Sequence, residues 1–433
     1  MNSNRQIHWS SLPGPDDITR TVLDNGIILL TRKNFDSPSI VINGIIQCGS
    51  VNNPVEKLGL AHFAALSLMK GTQQHNFRQI YEMVETVGAS LGFGAGGFHT
   101  SFSGRALAED LPMLVGLLSE CIRQPVFPAE QIERLRSQLL SGLAIRDQDT
   151  EDRASIRFDK IIFGDHPYGN PGDGFTETIQ AISRQDIVSF HQDYFNPHGM
   201  VIVIVGAVDP AEAIEIVSQA FTGWNNPIKG DIPHPPAPKP LKDSIREHIY
   251  IPGKSQVDIV MGTLGPDRKS PHFHAASLGN NILGQFGMMG RIGDAVREKA
   301  GLAYHASTSL NALMDAGSWE ISAGVNPANV DQAIALILEE LKRFIHEPVT
   351  RDELQDSQTD YIGKIPLAFE SNSGVAGALL NIERFDLGLG YYRDYPGIIS
   401  RIRVEDILSA ARTYIDPEKL AIISAGPNPG NQD

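Results

Sequence analysis

At 433 residues, 41% of them hydrophobic, the chain is long enough for two domains that each bury a core. A net charge of −15 argues against nucleic acid or an anionic lipid surface as partner, and no apolar run approaches the length of a membrane span. Two cysteines, Cys48 and Cys121, exclude a disulfide framework or a thiolate metal cluster, and their apolar neighbours predict buried, inert thiols.

In chain order, the first residues, Met1 to Trp9, show no apolar stretch behind a basic start. A cytoplasmic location is therefore expected, or a periplasmic one if a leader has been removed. The β-branched run Ile40–Ile46 predicts a strand. The glycine-rich tract Gly88–Gly97 predicts a strand edge and a turn. Leu111, Leu114, Val115, Leu118 and Ile122 follow helical spacing behind Asp110-Leu111-Pro112, and Pro128 opens a second helix over Gln131–Arg146. His166-Pro167-Tyr168-Gly169 reads as a turn, and Val201–Val205 as a buried strand.

A proline-dense stretch from Asn226 to Pro240 cannot lie in a helix or central strand and predicts an extended spacer. It divides the chain into an N-terminal domain over 1–225, a linker over 226–243 and a C-terminal domain over 244–433. The two parts repeat each other. Asp186, Tyr194, Pro197 and Gly206 recur at one constant offset as Asp406, Tyr414, Pro417 and Gly426. Earlier in each part, Arg78, Glu85 and Gly88 align with Arg291, Glu298 and Gly301. Strands mixed with runs of helices predict α+β layers in both copies.

The segment Gly59-Leu60-Ala61-His62-Phe63-Ala64-Ala65-Leu66 resembles the signature helix of the pitrilysin/insulinase-type zinc peptidases, whose motif is H-x-x-E-H. His62 holds the first histidine position, whereas Ala65 and Leu66 stand where the glutamate and second histidine belong. The family's third ligand, a glutamate, falls near Ser141-Gly142, and the nearest acids are Glu133 and Asp147. A hydrolytic zinc site needs several converging donors and a general base, and one imidazole supplies neither. By itself, His62 reads as a core or groove histidine.

A second hallmark is intact. Arg297-Glu298-Lys299-Ala300-Gly301-Leu302-Ala303-Tyr304 resembles the family's R-E-K-x-G-L-A-Y pattern, in which the arginine and tyrosine bind the substrate carbonyl and stabilise the oxyanion. Glycine suits a left-handed helix stop, so Gly301 predicts a helix ending just before it and a strand from Leu302. A solvated helix end and an ordinary strand aromatic would be the plain alternative. The repeat places apolar Val84 and Leu91 at the matching first-half positions, which points to specialised halves.

The resemblance implies two homologous domains, each a mixed β-sheet packed with helices, facing each other across a cavity. It also implies that this chain is the subunit without zinc in a heterodimeric peptidase, contributing Arg297 and Tyr304 in trans. No cofactor is then expected in this chain, and zinc is expected in the partner. Expected partners are a homologous subunit with an intact zinc motif and peptide substrates, with a homodimer open to the isolated chain. The same fold also serves as a non-catalytic scaffold in respiratory complexes. A third use is the regulatory subunit of presequence-processing peptidases, from which the short tract Gly284–Gly290 departs.

Overall fold

The computed structural model describes residues 12–226, 235–287 and 290–429. Part of the proline-rich spacer, and Met288 and Met289 of the Gly284–Gly290 tract, therefore lie outside the described residues.

Among the described residues, eleven strands form two sheets. The first contains β1 (Thr19–Val22), β2 (Ile28–Lys33), β3 (Ser39–Ile46), β4 (Ser90–Ala95), β5 (Thr100–Leu107) and β6 (Val201–Gly206), in the order β1-β2-β6-β3-β5-β4. The second contains β7 (Ile245–Tyr250), β8 (Val257–Gly265), β9 (Ala303–Ala312), β10 (Gly317–Val325) and β11 (Ala421–Gly426), in the order β7-β11-β8-β10-β9. With β1 set aside, the two orders correspond strand for strand. β2–β6 and β7–β11 are the parallel pairs, and the remaining neighbours are antiparallel. The fold is α+β in both copies.

The repeat extends to single residues. β6 and β11 are buried along their whole length, as expected of central strands covered on both faces. Each ends in a glycine at nearly the same backbone angle, φ +145° at Gly206 and +147° at Gly426. A Cβ at Gly206 would lie 2.2 Å from the Ser39 carbonyl oxygen, and one at Gly426 would lie 2.6 Å from that of Gln256. Only glycine allows that approach.

The chain divides into two compact units, and they are interleaved along the sequence. The first takes the residues up to Ser141, those from Pro171 into the linker, and Lys364–Pro396; the second takes Gly142–Asn170, the linker to Gly363, and Gly397 onward. In the first unit the helix Asn372–Phe385 packs on β3 and β6, with Val375, Ala376 and Leu379 buried among Leu30, Val41, Ile45, Val203 and Val205. In the second, the helix Thr150–Phe163 packs on β8 and β11, with Ala154, Phe158 and Ile162 among Val260, Ala421 and Ile423. Each sheet is therefore covered by a helix drawn from the far side of the linker.

Polar ties align these helices. Arg157 forms a two-pronged pair with Glu247 of β7 at 2.6 and 2.7 Å, and Arg20 of β1 forms one with Glu383 at 2.9 and 2.7 Å. The Asn372 amide donates to the Ser39 carbonyl at 3.2 Å. Both cysteines are buried, and burial pushes each thiol up to about 12, which keeps them protonated and unreactive. Among the described residues no helix is long and apolar enough to cross a membrane.

Candidate functional site

His62 lies in the first unit on the short helix Leu60–Ser67, which packs against edge strand β4 and the helix Arg184–Tyr194. Gly59, at φ +91°, starts the helix, and a Cβ there would lie 2.7 Å from the Asp173 carbonyl oxygen. Burial lowers the His62 imidazole below its ordinary range, with the Asp173 charge opposing the shift, so the ring is neutral at pH 7. Ala65 is fully buried and Leu66 half-buried.

Ser141 and Gly142 are exposed on the helix Ala129–Arg146, and the Ser141 hydroxyl donates back to Ser137. The nearby acids are engaged elsewhere, Glu133 with Arg136 and Asp147 with Arg146 and Arg153. Among the described residues no three His, Cys, Asp or Glu side chains come together as a metal-holding group. The residues at the family's zinc position do not fit that metal, because one neutral imidazole faces an alanine and a leucine.

Arg297 and Tyr304 belong to the second unit. The sequence predicts an ordinary helix end before Gly301, but the backbone does something wider. A single helical turn, Gly290–Gly293, runs into a π-helical stretch, Asp294–Lys299. It closes with the Leu302 amide donating to the Val296 carbonyl and the Gly301 amide donating to that of Arg297, both at 3.0 Å. Gly301 has φ +64° and open space where a Cβ would be, so its conformation, not crowding, calls for glycine. Widened turns of this kind concentrate at functional positions.

The Arg297 side chain is 35% exposed, and among the described residues its guanidinium meets one carboxylate, Glu298, at 3.6 Å. The π-helical stretch packs against β9, the outer strand of the second sheet, so Arg297 and Tyr304 stand on adjoining elements. The strand begins at Ala303, one residue later than its sequence suggests.

Tyr304 sits at an irregularity. Gly324 of β10 pairs with His305, but the next residue, Val325, pairs with Ala303, so Tyr304 is an extra residue in the ladder. Strand alternation would place it on the face of Ala306 and Thr308, which are buried. Tyr304 is instead 66% exposed. A bulge of this kind re-aims a side chain. At the corresponding place in β4, Leu91 pairs with Gly104 in unbroken register. The spacing of Arg297 and Tyr304 is plain in the sequence, whereas the bulge leaves one trace there, a glycine, Gly324, inside a strand.

This arrangement can present a cation from the π-helical stretch and a phenol from the adjoining edge strand, with little to occupy either. The two-sheet repeat, the helix bearing His62 and the arginine–tyrosine segment converge on one family. The description "Insulinase (Peptidase family M16)" matches residues 30–171, and "Peptidase M16 inactive domain" matches residues 181–361. The chain belongs to peptidase family M16.

An uncharacterized zinc protease of Mycobacterium leprae is 27% identical over 389 residues, covering 89% of this chain and 86% of that protein. One from Bacillus subtilis is 22% identical, covering 95% and 99%. A solved peptidase M16 inactive domain from Pseudomonas fluorescens superposes with a TM-score of 0.88 at 26% identity, covering 96% of this chain and all of that one. A protease structure from Helicobacter pylori shares the fold, with a TM-score of 0.88 at 21% identity.

Proposed function

We propose that this chain is the subunit without zinc in a heterodimeric metallopeptidase, supplying Arg297 and Tyr304 in trans to a homologous partner with an intact H-x-x-E-H motif. The observation that carries this reading is the exposure of Tyr304 at a bulge its first-half counterpart lacks, on the strand adjoining the stretch that bears Arg297, whose guanidinium meets one carboxylate among the described residues. An aromatic ring left in water gains nothing for the fold. The zinc and the general base belong to the partner. The Tyr304 hydroxyl donates to the oxygen of the scissile carbonyl as negative charge gathers there, and Arg297 adds a fixed positive charge on the same oxygen or on the neighbouring peptide carbonyl.

The test is reconstitution. Mixed with a zinc-bearing relative, the chain should give peptide hydrolysis that neither protein shows alone. Tyr304→Phe keeps the ring and removes one donor, which should cost roughly a hundred- to a thousand-fold in turnover. Arg297→Ala should cost at least as much, with thermal stability and subunit assembly unchanged in both. Full activity with both residues replaced would transfer the chain to the scaffold class.

A further inference from the structure

Gly324, in β10, lies opposite His305 of β9 and opposite Asp258 of β8. A Cβ built on it would come within 2.6 Å of His305 Cε1, 2.8 Å of His305 Nδ1 and 2.4 Å of Gln256 Nε2. Imidazole and amide therefore both rest on the bare Cα. The Gln256 amide donates to Asp258 Oδ1 at 2.6 Å, and the buried Asp258 carboxylate also accepts the Thr150 hydroxyl from the start of the covering helix. The cradle beneath the His305 ring is thus held by strand β8 and by that helix.

His305 is also the last regularly paired residue before the register shift, and Tyr304 is the residue shifted. In the first half the matching edge residue is Gly92, paired with Ser103, and a Cβ there would meet nothing within 4 Å. The large side chain on the edge strand, and the glycine beneath it that admits the ring, occur only in the copy that carries the tyrosine.

We propose that His305 is a positioning residue for Tyr304: its ring, seated on Gly324 where the Gln256 amide also rests, holds the bulge and so fixes the direction of the phenol. The proposal rests on the role assigned to Tyr304 above. It predicts that His305 acts through Tyr304 alone.

The experiment uses the full chain reconstituted with a zinc-bearing relative and a fluorogenic peptide library. His305→Ala should lower kcat by up to about a hundredfold, the cost of a misplaced catalytic group, with KM changed little. In the Tyr304→Phe background the same substitution should cost nothing further, because the group it positions is already gone. Gly324→Ala, which puts a methyl where the ring rests, should reproduce the loss. Wild-type kcat in His305→Ala, with Tyr304→Phe slow, would overturn the positioning role and leave the role of Tyr304 intact. An additive loss in the double variant would also overturn it.

If Tyr304→Phe itself is fully active, the role of Tyr304 falls, and a measurement on the isolated chain still decides about His305. With 3-fluorotyrosine at position 304, the fluorine resonance should shift or broaden in His305→Ala. An unchanged line would overturn the proposal.

Discussion

Asp159 lies on the helix that covers the second sheet. Burial, with the Glu320 carboxylate as a second cause, pushes its acid up to about 8. An unfolded aspartate loses its proton near the ordinary value of 3.8. The folded protein keeps this proton far longer, so folding is increasingly penalised as pH rises from about 4 to 8. Asp159→Asn removes that penalty. The variant should melt at a higher temperature than the parent at pH 9 and at the same temperature near pH 4, and a melting difference independent of pH would contradict the assignment. Ala65 gives the opposite case. It is 0% exposed, so Ala65→Glu with Leu66→His places a carboxylate in a closed core and still lacks an acid near Gly142. That double variant should lose several kcal/mol of stability and gain no peptidase activity, as a melting curve and a peptide assay would report. Robust hydrolysis would show that the third ligand comes from elsewhere.

Arg291 and its copy Arg78 show how one aligned residue becomes two different devices. Arg78 is exposed and pairs with Glu82 along its own helix. Arg291 is nearly buried, grips Glu353 with two bonds at 2.7 and 2.6 Å, and lies 3.8 Å from Glu340. It anchors the short helical turn that leads into the π-helical stretch bearing Arg297. Burial pushes the Glu353 carboxyl up, but hydrogen bonds from Arg291 and Thr350 and the Arg291 charge overcome it and hold the group at about 2. Its contribution is therefore present above the ordinary carboxyl range and is lost as pH falls toward 2. Arg291→Ala should cost about 3 kcal/mol at pH 7 by denaturant unfolding, and much less at pH 2.5. A cost that does not change with pH would mean that lost packing, not the ion pair, explains it.

The same elements mark what a single sequence can show. The spacing of Arg297, Gly301 and Tyr304 was legible because a left-handed stop and a following strand are local events. The bulge was not, since it is a relation between β9 and β10 that neither strand's pattern contains. That Ala65 and Leu66 offer a metal no donor was legible directly, because a missing donor is a matter of residue type. The embrace of Arg291 by Glu353 was invisible, as those partners lie on separate helices.

For the whole molecule, the repeat was readable through residues such as Gly206 and Gly426, whose backbone role is the same in both copies. The exchange of covering helices was not. The apolar face of Thr150–Phe163 says that something covers it, but the periodicity carries no address. The exchange makes the linear halves incomplete. Residues 244–433 alone would leave β8 and β11 without Phe158, Ile162 and Phe163, each worth about 1.5–3 kcal/mol on burial, a loss comparable to the stability of a whole domain. Residues 1–225 would lack Val375 and Leu379 in the same way. Expressed separately, neither half should unfold cooperatively; expressed together, they should recover a folded complex. A cooperative melt from either half alone would contradict this.

The exchange also sets a schedule on the ribosome. The strands of the first sheet are all synthesised by Gly206, yet the helix that seals their apolar face ends at Phe385. Through the intervening synthesis Leu30, Val41 and Val203 wait uncovered, while Phe158 and Ile162 wait for a sheet whose last strand ends at Gly426. Neither unit can finish before almost the entire chain has emerged, so the nascent protein carries two sticky surfaces at once, and holdase chaperones would have most to do in that interval.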